Sequence, residues 1–402
     1  LRPGDREMWS VRTGSGGRFK TVLRPRRLFL MVFLAGAAAL AAVYWSWIDA
    51  QARAAVVLSS VLETPGLTPA VGALTQEPEV EDTVFDGRPA LIAKPAGEGP
   101  WPAILFVNGT VPEGRAYPEV QNLARGLARA GYLVVVPDLP GLTTDEITGE
   151  TVSSTAEVAR AVADRPDAHD GRVGLVGVST GATLSLLAAQ DPAVSERVSV
   201  VAGVAPYTDI RTVLSIATTD HYREGGEYVP YDAEPFLSYV IAKSLLAALP
   251  SGEDRDELRA ELEEVDRLDS NPLAHLHDRS TGDLSPEARS VIELLANTDP
   301  ERFDELYAAL SPEIRAGMEE LSPLAENERI AAPVELVSGD RDKYFPVSES
   351  FAIDRIAADH RVTVSEAIDH SEVSFSNIPA FARLDGFVVR SLHEARYAGP
   401  DG

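Results

Sequence analysis

Eight short apolar runs, rich in Val, Ile and Leu, recur over residues 83–85, 90–94, 103–107, 132–137, 172–176, 198–204, 334–337 and 362–367. Most are apolar throughout rather than alternating, and a strand with two apolar faces needs cover on both. The intervening segments 117–130, 152–163 and 182–190 carry Leu, Val and Ala at helical spacing. Together these patterns predict a mostly parallel central sheet flanked by helices, an α/β fold. The rhythm fails between Pro206 and Ala332, a stretch too long to be a structureless loop in a compact domain. There Leu258, Leu262 and Val265, and again Phe303, Leu306, Tyr307 and Leu310, recur at helix spacing. Three helix starts are spelled alike, Ser285-Pro286-Glu287, Asp299-Pro300-Glu301 and Ser311-Pro312-Glu313. Each offers a capping side chain, a proline at the first helical position and a carboxylate at the positive end of the dipole. An inserted helical cap over 207–325 is expected.

The fifth run leads straight into Gly177-Val178-Ser179-Thr180-Gly181 and then an apolar helical segment. A strand reversed sharply into a helix leaves its central residue strained and exposed, and flanking glycines remove the Cβ atoms that would collide across the turn. Ser179 is therefore a candidate nucleophile. A serine hydroxyl needs an imidazole to take its proton, and the imidazole needs a carboxylate to fix its tautomer. After the run at 334–337 come Asp340 and Asp342, and after the run at 362–367 comes His370. All three fall beyond the C-terminal ends of strands, where open parallel sheets place ligands.

The elbow and the chain order Ser, Asp, His resemble the α/β-hydrolase family over residues 79–394, the cap excluded. The resemblance implies a serine hydrolase near the dienelactone-hydrolase and acyl-peptidase branches, which residues 117–142 also resemble. Gly339 to Pro346 fits the family's acid-bearing stretch and selects Asp342 over Asp340, and the loop after the last strand selects His370. The oxyanion donors are expected to be the backbone N–H groups of Thr180, at the start of a helix, and of Thr110, preferred to Val111, in the loop after the third strand. That loop reads Asn108-Gly109 where family members often carry His-Gly, which sets aside esterase subclasses built on His-Gly-Gly. Dehalogenases and epoxide hydrolases of similar fold carry Asp at the elbow in place of Ser179. The implied activity is hydrolysis of a carboxylic ester or related acyl bond in a small-molecule substrate. An acyltransferase with the same triad and a non-catalytic binding protein are the alternatives.

No metal or organic cofactor is expected. His275 and His277 offer two ligands without a third, and the absence of cysteine excludes disulfides, thiolate metal sites and a cysteine nucleophile. The net charge is −26, yet residues 1–27 hold eight Lys or Arg against Asp5 and Glu7. The acidic body has no electrostatic reason to hold nucleic acid. Residues 28–48 carry no charge, are long enough to span a bilayer, and end in Trp45 and Trp47 at interfacial depth. With Arg24, Arg26 and Arg27 ahead of it, this segment is expected to anchor the chain as a single transmembrane helix, its basic tail (1–27) cytoplasmic and its catalytic part outside. Export after cleavage of a twin-arginine-type signal is the alternative. Residues 49–78 read as a linker with some helix over 50–62, leaving 79–206 and 326–402 as the two halves of the core.

Overall fold

The computed structural model describes residues 44–62, 67–326, 328–370, 372–373 and 377–397. Residues from Asp49 onward form one compact unit. Of the unit that ends at Ile48 only 44–48 are described, so the basic tail and most of the proposed membrane segment lie outside the described residues. Among the described residues no helix is long and apolar enough to cross a membrane.

The sheet contains β1 (Glu79–Phe85), β2 (Arg88–Lys94), β3 (Trp101–Val107), β4 (Leu133–Pro137), β5 (Ala168–Val178) and β6 (Val198–Val204). After β7 (His221–Glu224) and β8 (Glu227–Pro230), which pair apart from it, β9 (Val334–Ser338) and β10 (His360–Val364) complete it. The order across the sheet is β1-β2-β4-β3-β5-β6-β9-β10. Pairs β1/β2 and β2/β4 are antiparallel and the other neighbours are parallel. The uniformly apolar runs are the covered strands, with every residue of β4 and β9 buried. Within β3 the two faces separate at every second residue: Leu105 and Val107 join one core, Ile104 and Phe106 the other. The hairpin β1/β2 turns at Asp86-Gly87, both with positive φ (48° and 76°), as a tight two-residue connection requires.

Helices α1 (Trp45–Leu62), α2 (Leu67–Leu74), α3 (Pro118–Arg129), α4 (Gly149–Ala163) and α5 (Thr180–Gln190) precede the cap. Helices α3 and α1 cover one face of the sheet, α4 and α5 the other. The placement of α1 corrects the reading of 49–78 as a linker. Ala50, Ala54, Val57 and Leu58 are buried, Arg53 donates to the Ala130 carbonyl, and the Gln51 amide bonds Asp385 at 2.9 Å. Small residues permit this packing: a Cβ added at Gly126 of α3 would stand 2.8 Å from Ser60 Cβ. The remaining part of the expected linker carries α2. The core therefore begins before β1.

Between β6 and β9 the chain forms α6 (Ile210–Thr219), α7 (Phe236–Ala247), α8 (Glu253–Glu263), α9 (Ala274–His277), α10 (Pro286–Leu295), α11 (Pro300–Ala309) and α12 (Pro312–Glu319). The three Pro-Glu starts open α10, α11 and α12, where Ser285, Asp299 and Ser311 accept from the amides of Ala288, Glu301 and Ile314. The insertion is not wholly helical, since β7 and β8 form a hairpin turning at Gly225-Gly226 (φ 60° and 93°). Its apolar side chains belong to the same core cluster as β3 and α5, so the cap is packed on the sheet domain. After β9 come α13 (Val347–Phe351), β10, the two-residue strands β11 (Ile368–Asp369) and β12 (Glu372–Val373), and α14 (Ile378–Tyr397), which packs beside α1 and α3. Strand β10 stops at Val364, short of the expected 367. There the Ser365 N–H still donates to the Ser338 carbonyl (3.0 Å) while its hydroxyl turns to the Ala380 carbonyl (2.8 Å).

Candidate active site

Ser179 joins β5 to α5 with φ 57° and ψ −129°, backbone angles that cost a non-glycine residue energy and persist only when the surroundings impose them. The flanking glycines are what makes the geometry possible. A Cβ at Gly177 would stand 2.3 Å from the Gly181 carbonyl oxygen, and one at Gly181 would stand 2.1 Å from the Val107 carbonyl oxygen and 2.3 Å from that of Asn108. The elbow can close, and the loop after β3 can lie against it, only without those carbons.

His370, also at positive φ (52°), sits between β11 and β12 and is buried. Its Nδ1 lies 2.9 Å from Asp342 Oδ2 and 3.1 Å from Oδ1, and its Nε2 lies 2.8 Å from Ser179 Oγ. An ionised carboxylate only accepts, so the ring proton belongs on Nδ1 and Nε2 is left to accept from the serine hydroxyl. The Asp342 side chain is 1 % exposed. Its Oδ1 accepts from the amides of Tyr344 (2.8 Å) and Phe345 (2.9 Å), closing the turn that follows β9. Asp340 is exposed on the same loop, so of the two carboxylates it is Asp342 that meets the histidine. The Tyr344 ring lies 4.2 Å from the His370 ring between centroids, and the Phe345 ring meets it edge-on at 5.7 Å. Neither aromatic was singled out from sequence, although both stand within three residues of Asp342.

Thr180 is the first residue of α5, where amides have no partner within the helix and the dipole favours negative charge. Opposite it, Gly109 lies close enough that a Cβ there would be 3.4 Å from Ser179 Cβ. The Val111 amide is committed to the Leu142 carbonyl (3.1 Å). Asn108 is buried and its amide reaches back to the Gly114 carbonyl (3.4 Å), bracing the loop from within. A cleft of about 320 Å³ opens beside Thr110 and Tyr344, walled by Val111 and Tyr117 of the core and by Phe236 and Arg267 of the cap. Arg267 stacks on Phe236 (4.6 Å) and donates to Asp145 (3.0 Å), a buried carboxylate whose pKa burial raises above the usual range against the pull of Arg267.

The other histidines stand apart from this assembly. His221 bonds the Thr219 carbonyl and His360 that of Ala357, while His275 and His277 are exposed on the four-residue α9. No group of three His, Asp or Glu able to hold a metal ion occurs among the described residues. One acid of note was missed: Glu349 on α13 is buried, and burial raises its pKa. It accepts from the amides of Thr208 and Asp209 (both 2.8 Å) where the cap leaves the core. Nothing in the local sequence marks it.

No curated protein sequence matches the chain. Among solved structures it is similar to the acylaminoacyl peptidase of Pyrococcus horikoshii (16% identity, TM-score 0.45), covering 82% of this chain and 44% of that one, so it spans less than half of the peptidase's length. It is also similar to the proline iminopeptidase of Mycobacterium smegmatis (16% identity, TM-score 0.39, 79% and 98% covered). A third is a membrane phospholipase A described as a bacterial virulence factor (18% identity, TM-score 0.38, 91% and 99% covered). The model of the alpha/beta hydrolase family matches residues 104–369, about two thirds of the chain, from within β3 to the residue before His370. With that match, a mostly parallel sheet and a serine at the elbow, the chain belongs to the alpha/beta hydrolase family.

Proposed function

We propose that the protein is a serine hydrolase that cleaves a carboxylic ester through an acyl-enzyme on Ser179. The observation that carries this reading is the unbroken chain of short contacts from Ser179 Oγ through His370 to a buried, twice-braced Asp342. A substrate acyl group bound beside Ser179 presents its carbonyl carbon to Oγ. As the C–O bond forms, His370 Nε2 takes the hydroxyl proton and Asp342 stabilises the imidazolium without itself becoming protonated. The carbonyl oxygen, now an oxyanion, faces the amides of Thr180 and Thr110, donors whose value lies in being in place before charge develops. Collapse of the intermediate expels the alcohol, which takes the proton from His370 and leaves the acyl group on Ser179. A water molecule then repeats the sequence, giving its proton to His370 and its oxygen to the acyl carbon, and releases the acid and the free serine.

Replacement of water by another alcohol in the second half would make the same site an acyltransferase. The closed triad favours catalysis of either kind over a purely binding role. We further propose that residues 28–48 tether the chain to a membrane with the catalytic part outside, a reading supported by the uncharged run and the arginines before it. The test of activity is hydrolysis of a series of p-nitrophenyl esters by the full-length chain beside Ser179→Ala. Turnover that Ser179→Ala abolishes is the expected result, and turnover that survives it refutes the assignment.

A further inference from the structure

The cap reaches the catalytic acid through a short strap, residues 231–234, that follows the β7/β8 hairpin. The Tyr231 phenol donates to the backbone carbonyl of Asp342. The Glu234 amide donates to the next carbonyl, that of Lys343 (2.8 Å), and the Lys343 ammonium donates to Glu234 Oε1 (2.9 Å). The turn at 342–345 is thus held from two sides: its two amides close on the Asp342 carboxylate, and the two carbonyls that open it are bound by the cap. Tyr231 is itself fixed, with its amide on the Asp220 carbonyl (2.7 Å) and its ring edge-on to Tyr222 (5.8 Å). Burial and the nearby Asp342 charge push its phenol well above the ordinary tyrosine range, so it stays a donor at any working pH.

We propose that Tyr231 is a positioning residue for the triad: its hydroxyl, delivered by the cap, sets the peptide unit of Asp342 and through it the alignment of His370 with Ser179. The proposal rests on the serine-hydrolase reading. A carbonyl that loses its donor frees the peptide unit to rotate, and the carboxylate borne by the same residue moves with it. The imidazole 2.9 Å away then loses the partner that fixes its tautomer. Docking of the cap and assembly of the triad become one event, which a hydroxyl that merely fills space would not produce.

The test compares the full-length wild type with Tyr231→Phe and Tyr231→Met, both of which remove the donor while keeping an apolar side chain. Tyr228→Phe is the control, taking a hydroxyl from the same hairpin on a ring that lies beneath Arg223 (5.1 Å). With p-nitrophenyl butyrate as the probe, kcat falls about tenfold in both Tyr231 variants, the scale of one lost hydrogen bond expressed at the transition state, with KM within about twofold of wild type. The downfield proton resonance of His370 Nδ1–H, sharp in wild type, broadens or disappears. Tyr228→Phe keeps the wild-type kcat and resonance. Wild-type kcat in Tyr231→Phe, or a raised KM with kcat unchanged, overturns the role of Tyr231 alone. A wild-type chain that neither turns over the ester nor reacts with a fluorophosphonate overturns the hydrolase reading and this proposal with it.

Discussion

Replacing Asp342 by asparagine removes a charge and changes almost nothing in shape, which makes it the sharpest probe of the site. The structure dictates how the new amide must lie. The amides of Tyr344 and Phe345 both donate to Oδ1, at 2.8 and 2.9 Å, so that position demands an acceptor and takes the asparagine carbonyl oxygen. The asparagine NH2 is then forced to the Oδ2 position, 2.9 Å from His370 Nδ1. Two donors cannot face each other, so the imidazole shifts its proton to Nε2, and Nε2–H now points at Ser179 where an acceptor is needed. Both the base and the stabilisation of the imidazolium are lost. For a serine triad that change is worth about 10⁴ in kcat, or roughly 5 kcal/mol of transition-state stabilisation. The assay is kcat on a p-nitrophenyl ester, corrected for active-site concentration, with thermal unfolding to show that the variant is folded. Activity within about tenfold of wild type would refute the reasoning and move the acid elsewhere, with Asp340 the next to test.

Three further outcomes follow from the geometry. Gly181→Ala drives a Cβ to 2.1 Å from the Val107 carbonyl oxygen, a contact with backbone on both sides, and should cost about 3 kcal/mol or more in urea unfolding. Arg267→Ala leaves the buried Asp145 without its cation and should lower stability by about 1–2 kcal/mol, and adding Asp145→Asn should restore most of the loss, since the site then holds no uncompensated charge. Burial raises the folded-state pKa of Glu349 above its unfolded value, so its contribution to stability is full below the ordinary glutamate range and is lost as pH rises through the folded value. Glu349→Gln keeps an acceptor for Thr208 and Asp209 without the titration. Its melting temperature should gain on that of wild type as pH rises from about 4 to 8, and a constant gap would contradict the burial argument.

The sheet and the elbow were open to sequence reading because each leaves a local mark. Strands covered on both faces, as in β4 and β9, must be apolar at every position, and the glycines at 177 and 181 are demanded by carbonyls that lie within 2.5 Å of where a Cβ would be. What escaped was decided by partners distant in the chain. Residues 50–62 read as helix, but only the folded neighbours at Gly126 and Asp385 show that the helix belongs to the core. Asp342 is preferred to Asp340 only on the family resemblance of Gly339 to Pro346, and the physical difference, that Asp342 closes its own turn on the amides of 344 and 345, is not written in the local sequence. The β7/β8 hairpin was hidden because strands of four half-exposed residues carry too short a pattern to stand out among helices, despite the Gly225-Gly226 turn. Tyr231 and Glu349 owe their places to contacts across more than a hundred residues, which no periodicity encodes.

The central claim is that Ser179 is a nucleophile activated by His370, and a covalent label tests it most directly. Full-length protein treated with a fluorophosphonate should gain the mass of a single phosphonyl group, mapped by peptide analysis to the segment containing Ser179. Ser179→Ala should gain none, and His370→Ala should label orders of magnitude more slowly. A folded wild type that stays unlabelled, or a label found on another residue and retained in Ser179→Ala, would contradict the account.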